Sequence, residues 1–345
     1  MMSELIDLLR YAPSGGNLQP WILKTDQNDT MMDITLYLDP GIRYEGQHTD
    51  HSGYGALISL GVLTYSIQYL CSTYGYRFLK KTIHSDRDIY KNSILINLEK
   101  CEPISSQKAE IFRNRFTDRR CYQIRPFSED LKHHLLADSD SSLYFFDEDP
   151  KRKIITDLLS QLSLIRFQNK DLFKELSHEL KLDKSASTGI PISNLGLSPL
   201  LEYITRLQKR YPLSLPFDSL YSWPLYESII RPMKYSATIG CVKMPGKTAG
   251  AWIQVGEKIM SVWLKLCESG ARMQPFGNTL CIANYFQDPD FFSFSERQRE
   301  SIRTLHSEVL SELKIDTAEA CIFFRAGYSN LERQETPRKK IITIS

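Results

Sequence analysis

Two long apolar runs of helical period constrain this chain more than any other feature. Residues 53–74 carry Leu57, Leu60, Gly61, Thr64, Ile67, Gln68 and Cys71 along one side, and residues 248–269 carry Trp252, Val255, Gly256, Ile259, Val262, Trp263 and Leu266. This spacing predicts two core helices. Gly75 and Gly270 are expected to end them, because glycine accepts the left-handed backbone of a helix terminus. In both runs an inner glycine (Gly61, Gly256) precedes the terminal one by 14 residues, a Leu-Cys pair lies near the end (Leu70-Cys71, Leu266-Cys267), and a strand is expected next. Small residues such as Ala56 and Gly61 let helices approach closely. A period this long is not that of a solenoid; it points to two similar halves packed on one another.

The rest of the chain fits around these runs. A short amphipathic helix (Leu5, Leu8, Leu9) opens it, and strands are expected at 21–23, 34–38, 76–79 and 93–98. Pro103 and paired serines mark a linker at 100–107. A helix over 108–116, a strand at 142–146, helices within 150–182, a loop at 183–196 and a helix at 197–209 follow. Residues 210–235, rich in Tyr, Pro and Trp without a period, read as an irregular insertion or lid. Strand 237–242 precedes the second long helix; a strand at 278–284, a helix at 295–313 and a strand at 320–324 come after it.

Composition narrows the function classes. The 345 residues, 42% of them apolar, support a sizeable core. A net charge of +2, from 43 basic and 41 acidic residues, gives no reason to expect nucleic acid or a membrane surface as partner. Seven cysteines are scattered without a Cys-x-x-Cys pair, which argues against a disulfide framework or zinc site and for a reducing compartment. There is no signal-peptide layout, and apolar runs break before membrane-spanning length. The expectation is a soluble, cytoplasmic protein.

Several familiar motifs fail. Five residues separate Gly240 from Gly246, where a phosphate-binding P-loop needs four. His48-Thr49-Asp50-His51 lacks a third clear ligand for a metal, and His133-His134 diverge on a helix. Neither a Gly-x-Ser-x-Gly elbow nor a Gly-x-Gly-x-x-Gly fingerprint is present.

The string Ala12-Pro13-Ser14-Gly15-Gly16-Asn17-Leu18-Gln19-Pro20-Trp21 carries more information. Pro13 closes the first helix and Pro20 biases Gln19 toward an extended backbone. Two glycines allow close approach of a ligand; Ser14, Asn17 and Gln19 offer hydroxyl and amide groups. This string resembles the N-terminal signature of the nitroreductase-like flavoprotein family, whose members bind FMN between two subunits. Arg115, Thr117 and Arg119 fit the family's Arg-x-Ser-x-Arg element for the flavin phosphate, with Thr in place of Ser; guanidinium groups give forked, charge-assisted bonds to phosphate. Gln274-Pro275-Phe276-Gly277 lies where the family has a turn whose backbone N–H faces flavin N5. Phe324 to Tyr328 and Pro337-Arg338-Lys339-Lys340 resemble its last strand and its phosphate-reaching basic residues, here Arg338 and Lys340.

The resemblance implies an α+β, nitroreductase-like fold of two fused halves, with central helices and flanking mixed sheets, as in the Acg-type branch. The first half is 1–106 and the second 107–345, with a possible lid insertion at 183–235. The family's order of the two elements is reversed here. Each family flavin takes its arginines from one subunit and its loop from the other, so a fused chain needs one of each and holds one FMN. The implied activity is hydride or electron transfer through FMN, with NADPH or NADH as possible reductant and a small-molecule substrate, by a monomer or homodimer. The resemblance names no catalytic acid or base. Alternatives are an FMN-sequestering protein with a lid, a specialised flavin oxidase or dehydrogenase of a biosynthetic pathway, and a flavin-free scaffold.

Overall fold

Helix α1 (Met2–Leu9) buries Leu5, Leu8 and Leu9 and leads through a loop into strands β1 (Trp21–Gln27) and β2 (Met31–Leu38). Helix α2 (Tyr54–Leu70) follows, continued by a 3-10 turn to Tyr74, then β3 (Tyr76–His84) and β4 (Ser93–Lys100). The four strands pair antiparallel in the order β1-β2-β4-β3. Buried and half-exposed positions alternate along β2 and along most of β4, as in a sheet with one covered face. The computed structural model describes residues 2–42, 50–137, 141–211, 222–334 and 336–344.

Helices α3 (Lys108–Asn114) and α4 (Glu129–Ala137) precede β5 (Leu143–Phe145). A long excursion then runs through α5 (Asp149–Gln168), α6 (Lys170–Glu179), the short parallel pair β6 (Leu180–Lys181) and β7 (Ile190–Pro191), and α7 (Pro199–Arg210). Helical turns α8 (Ser222–Leu225) and α9 (Arg231–Lys234) flank a π turn at Tyr226–Ile230. Strand β8 (Thr238–Met244), helix α10 (Ala249–Glu268) and strand β9 (Ala271–Phe276) come next. Helices α11 (Leu280–Gln287) and α12 (Glu296–Leu313) separate β9 from β10 (Ala320–Tyr328). The second sheet is antiparallel, in the order β5-β8-β10-β9. The tail ends in β11 (Ile342–Ile344), which joins the first sheet parallel to β1.

The protein is thus a mixed α+β structure in which one connectivity occurs twice: outer strand, inner strand, helix, outer strand, inner strand. Helices α2 and α10 hold the same place in each unit and cross at their glycines. A Cβ on Gly61 would lie 1.9 Å from Ile253 O, and one on Gly256 would lie 2.0 Å from Ile58 O. No other residue fits either position without separating the helices. An offset of 195 residues relates these contacts. It also carries Gly75 to Gly270, both at φ 78, and the first residue of β3 to the first of β9. It carries Leu70 to Lys265, so the two Leu-Cys pairs are one residue out of register and are not counterparts.

One apolar core lies between the sheets around α2 and α10; a second covers the far face of the second sheet with α5, α11 and α12. Strand β10 is therefore buried along nearly its whole length. Helix α2, continued to Tyr74, has the length and mean hydropathy (1.3) of a membrane-crossing helix, but its apolar surface is mostly buried against the rest of the fold.

The structure corrects several expectations. Residues 280–287 are helical, and the strand lies earlier, at 271–276, so Gln274, Pro275 and Phe276 are strand residues rather than a turn. A short apolar run does not tell strand from helix by itself, and Pro275 is tolerated because β9 is an edge strand. Gln68 faces solvent. Helix α3 stops at Asn114, so Arg115 is already extended. Residues 222–234 are helical rather than irregular; the remainder of the 210–235 segment that was read as a lid, residues 212–221, lies outside the described residues, as does His48.

Candidate functional site

The loop after α1 is held in a left-handed backbone at three of its residues. Asn17 and Gln19 have φ of 56 and 52, and Gly16 has 54. Left-handed non-glycine residues persist where their surroundings enforce them. Gln19 N donates to Ser14 Oγ (2.9 Å), Gln19 Nε2 to Ser187 O (2.9 Å), and Lys339 N to Gln19 Oε1 (2.9 Å). Asn17 Nδ2 donates to Gly189 O (3.2 Å) and Pro337 O (3.1 Å), and Arg338 donates to Asn17 Oδ1. The loop is clasped between the 187–189 segment and the C-terminal tail. These bonds override the bias from Pro20, and Gln19 is not extended.

The arginine segment is pinned to the second sheet. Thr117 forms a parallel bridge with Met273 of β9. Arg325 of β10, fully buried, donates to Asp118 O (3.3 Å), Arg120 O (2.8 Å) and Gln274 Oε1 (2.8 Å). Successive residues of an extended segment point to opposite sides. Asp118 and Arg120 pair with each other at 2.8 Å, while Arg115, Thr117 and Arg119 turn to the loop. Arg115 is buried against the Trp263 ring, 4.3 Å from its centroid, and donates from Nη2 to Tyr11 O (2.8 Å).

Two adjoining cavities result. The larger, of about 880 Å³, is lined by Pro13, Ser14 and Gly15 of the loop, Ile58, Ser59 and Val62 of α2, Ile259 and Trp263 of α10, Thr117, Arg119, and Gln274 to Asn278. Its roof comes from α5, α6 and residues 188–195, including Arg166, Glu175 and Glu179. The smaller, of about 60 Å³, shares Pro13, Ser14, Thr117 and Arg119 and adds Asn17, Arg115, Arg333 and Arg338. Among the described residues none of these four arginines forms an ion pair. Buried Arg115 Nε and Nη1, Arg333 Nε and Arg338 Nε have no hydrogen-bond partner there. Burial, with repulsion from neighbouring guanidinium groups, holds Arg338 down at about 9; burial holds Arg115 and Arg119 at about 10. Orphaned guanidinium N–H groups around a recess are the donor set for a multiply charged oxyanion. The adjoining space, walled by helices and by a strand edge, has the size of a cofactor pocket.

Of the residues singled out from sequence, Pro13, Ser14, Gly15, Thr117, Arg119, Pro275, Phe276 and Gly277 line the larger cavity, and Asn17, Arg115 and Arg338 the smaller. Gln19 and Lys340 line neither. Gln19 spends its side chain on Asn17, Ser187 and Lys339, and Lys340 is exposed. The sequence reading missed Arg333, whose only signal is the charge density of the tail, and Asp50, which sits in a polar loop without a pattern. Asp50 lines the larger cavity. The sequence reading has residues 170–179 as helical but not as part of the roof, which begins before residue 183.

No protein-family model matches the chain, and no curated protein matches its sequence.

Proposed function

We propose that the chain is an FMN-dependent oxidoreductase of nitroreductase-like type, holding one FMN between two fused halves, residues 1–106 and 107–345. The repeated strand order and the reciprocal Gly61 and Gly256 contacts support the fused-half reading. The observation that carries the cofactor is the recess lined by Arg115, Arg119, Arg333 and Arg338, in which buried N–H groups of Arg115, Arg333 and Arg338 lack partners and which opens beside a cavity of flavin size. In this reading the arginines and Ser14 hold the phosphate, the loop and α10 flank the ring, and the segment Pro275 to Gly277 offers backbone groups along the ring edge. FMN, when bound, supplies reversible hydride chemistry. The chain excludes bulk water with the α6 roof and orients a small-molecule substrate against the cofactor; NADPH or NADH is the proposed reductant.

The test is the visible spectrum of the protein after incubation with FMN and gel filtration. A flavin spectrum at one FMN per chain is expected; colourless protein with no thermal shift overturns the reading. The clasp of 187–189 on Asn17 and Gln19 favours a second reading, in which the roof stays shut and FMN is only stored. Flavin that stays oxidised under excess NADPH and NADH would decide for storage.

A further inference from the structure

Asp50 occupies the point where three walls of the larger cavity meet. The N–H groups of Gly55 and Ala56, in the first turn of α2, donate to Asp50 Oδ1 (2.8 Å) and Oδ2 (3.1 Å). A Cβ on Gly55 would lie 2.9 Å from Asp50 Oδ2 and 3.4 Å from Leu280 Cδ1. Gly55 thus lies between the carboxyl and Leu280, the first residue of α11, which follows directly on the turn Gly277–Thr279, and all three line the cavity. From the roof, Glu175 of α6 also faces it. Among the described residues Asp50 has no cationic partner. Arg166 pairs with Glu179 (2.8 Å), and His51 with Asp288 (3.4 Å). Tyr54, on α2, is a further titratable neighbour, and its backbone N–H also bonds Asp50.

A carboxylate that only capped α2 would be expected to stay ionised, since helix N–H groups favour the charged form. Here burial outweighs those bonds, Glu175 adds repulsion, and the carboxyl is pushed up to about 7. Both protonation states are then populated near neutral pH, the condition for a group that both gives and takes protons.

Resting on the function above, we propose that Asp50 is the general acid–base of the cavity, protonating a small-molecule acceptor of the quinone class as it is reduced. Hydride uptake gives the hydroquinone monoanion. The Asp50 O–H then breaks, its electron pair stays on the carboxylate, and a new O–H bond forms on the acceptor oxygen. The carboxylate regains its proton from solvent, and NADPH or NADH is the species oxidised overall.

The experiment compares the wild type with Asp50→Asn and Asp50→Glu. In flavin-free protein, an infrared carboxylic C=O band should titrate near pH 7, disappear in Asp50→Asn and return in Asp50→Glu. In FMN-loaded protein, Asp50→Asn should keep its FMN affinity within about twofold, lose at least tenfold in quinone turnover, and lose the pH dependence near 7. Absence of the titrating band, or an unchanged pH profile in FMN-loaded Asp50→Asn, overturns the role of Asp50 alone. A wild-type chain that takes up no FMN overturns the cofactor reading and this role together.

Discussion

The two sheets share a connectivity and differ in what covers them. The first has short links, a three-residue turn between β1 and β2 and residues 85–92 between β3 and β4, and its inner strands β2 and β4 alternate as one-faced strands do. The second receives long inserts at the corresponding places, α5 to α9 between β5 and β8, and α11 with α12 between β9 and β10. These inserts bury its outer face and supply the cavity roof. One frame thus carries only short links in one unit and, in the other, the inserts that roof the cavity. The roof of the cavity comes from what was added to the repeat.

The repeat itself is tested hardest at its crossing. Gly61→Ala and Gly256→Ala each place a Cβ about 2 Å from a backbone carbonyl oxygen of the partner helix, and backbone cannot rotate away. Overpacking of this kind costs about 3 kcal/mol. Both variants should lose comparable stability in urea unfolding. The double variant should lose less than the sum, because one separation of α2 from α10 relieves both contacts. A neutral result at either glycine would break the equivalence.

The asymmetry is tested next, at the arginines. Hydrogen bonds to charged groups contribute about 1.5–3 kcal/mol each, so Arg115→Ala or Arg338→Ala should weaken FMN binding about tenfold to a hundredfold in a flavin-fluorescence titration. Arg115→Lys should also weaken it, since an ammonium neither forks to phosphate nor stacks on Trp263 in the same way. Inorganic phosphate alone should raise the melting temperature of the wild type more than that of Arg338→Ala. Two flavins per chain, or affinity unchanged in both alanine variants, would remove the distinction between the units.

Sequence alone anticipated the two crossing helices and part of the cavity lining. The crossing helices were legible because apolar residues recur over several turns and glycines end both. The helix expected at 295–313 is α12, which the structure starts with a capping box of Ser295 and Gln298. The run Leu280-Cys281-Ile282-Ala283 was not legible, because four apolar residues suit a strand as well as a buried helix. Around the cavities, residues 12–21 and 115–119 stand out as local strings of polar and charged residues. Arg333 and Asp50 take their places there from distant neighbours: a tail folded back over 320 residues in one case, and a roof helix in the other. Gln19 shows the converse, since its local bias from Pro20 is overridden by bonds to Ser187 and Lys339.

The smallest expected effect lies on the face opposite the cavity. The 195-residue offset carries Val62 to Glu257 and Phe276 to Lys81, so two cavity-lining apolar positions correspond to a half-buried ion pair between Lys81 and Glu257. Burial raises the Glu257 carboxyl above its usual range, and Lys81 pulls it part of the way back. A carboxyl raised in the folded state loses stability as pH rises from its unfolded value through its folded one. Lys81→Met removes the counterweight and widens that window. The variant should therefore be less stable than wild type by about 1 kcal/mol at pH 7, the scale of a partly exposed pair. Near pH 4, where Glu257 is protonated in both folded proteins, the difference should shrink toward zero. Urea unfolding at the two pH values measures it. Equal losses at both would mean that Lys81 contributes packing rather than charge, and that the face opposite the cavity is closed by shape.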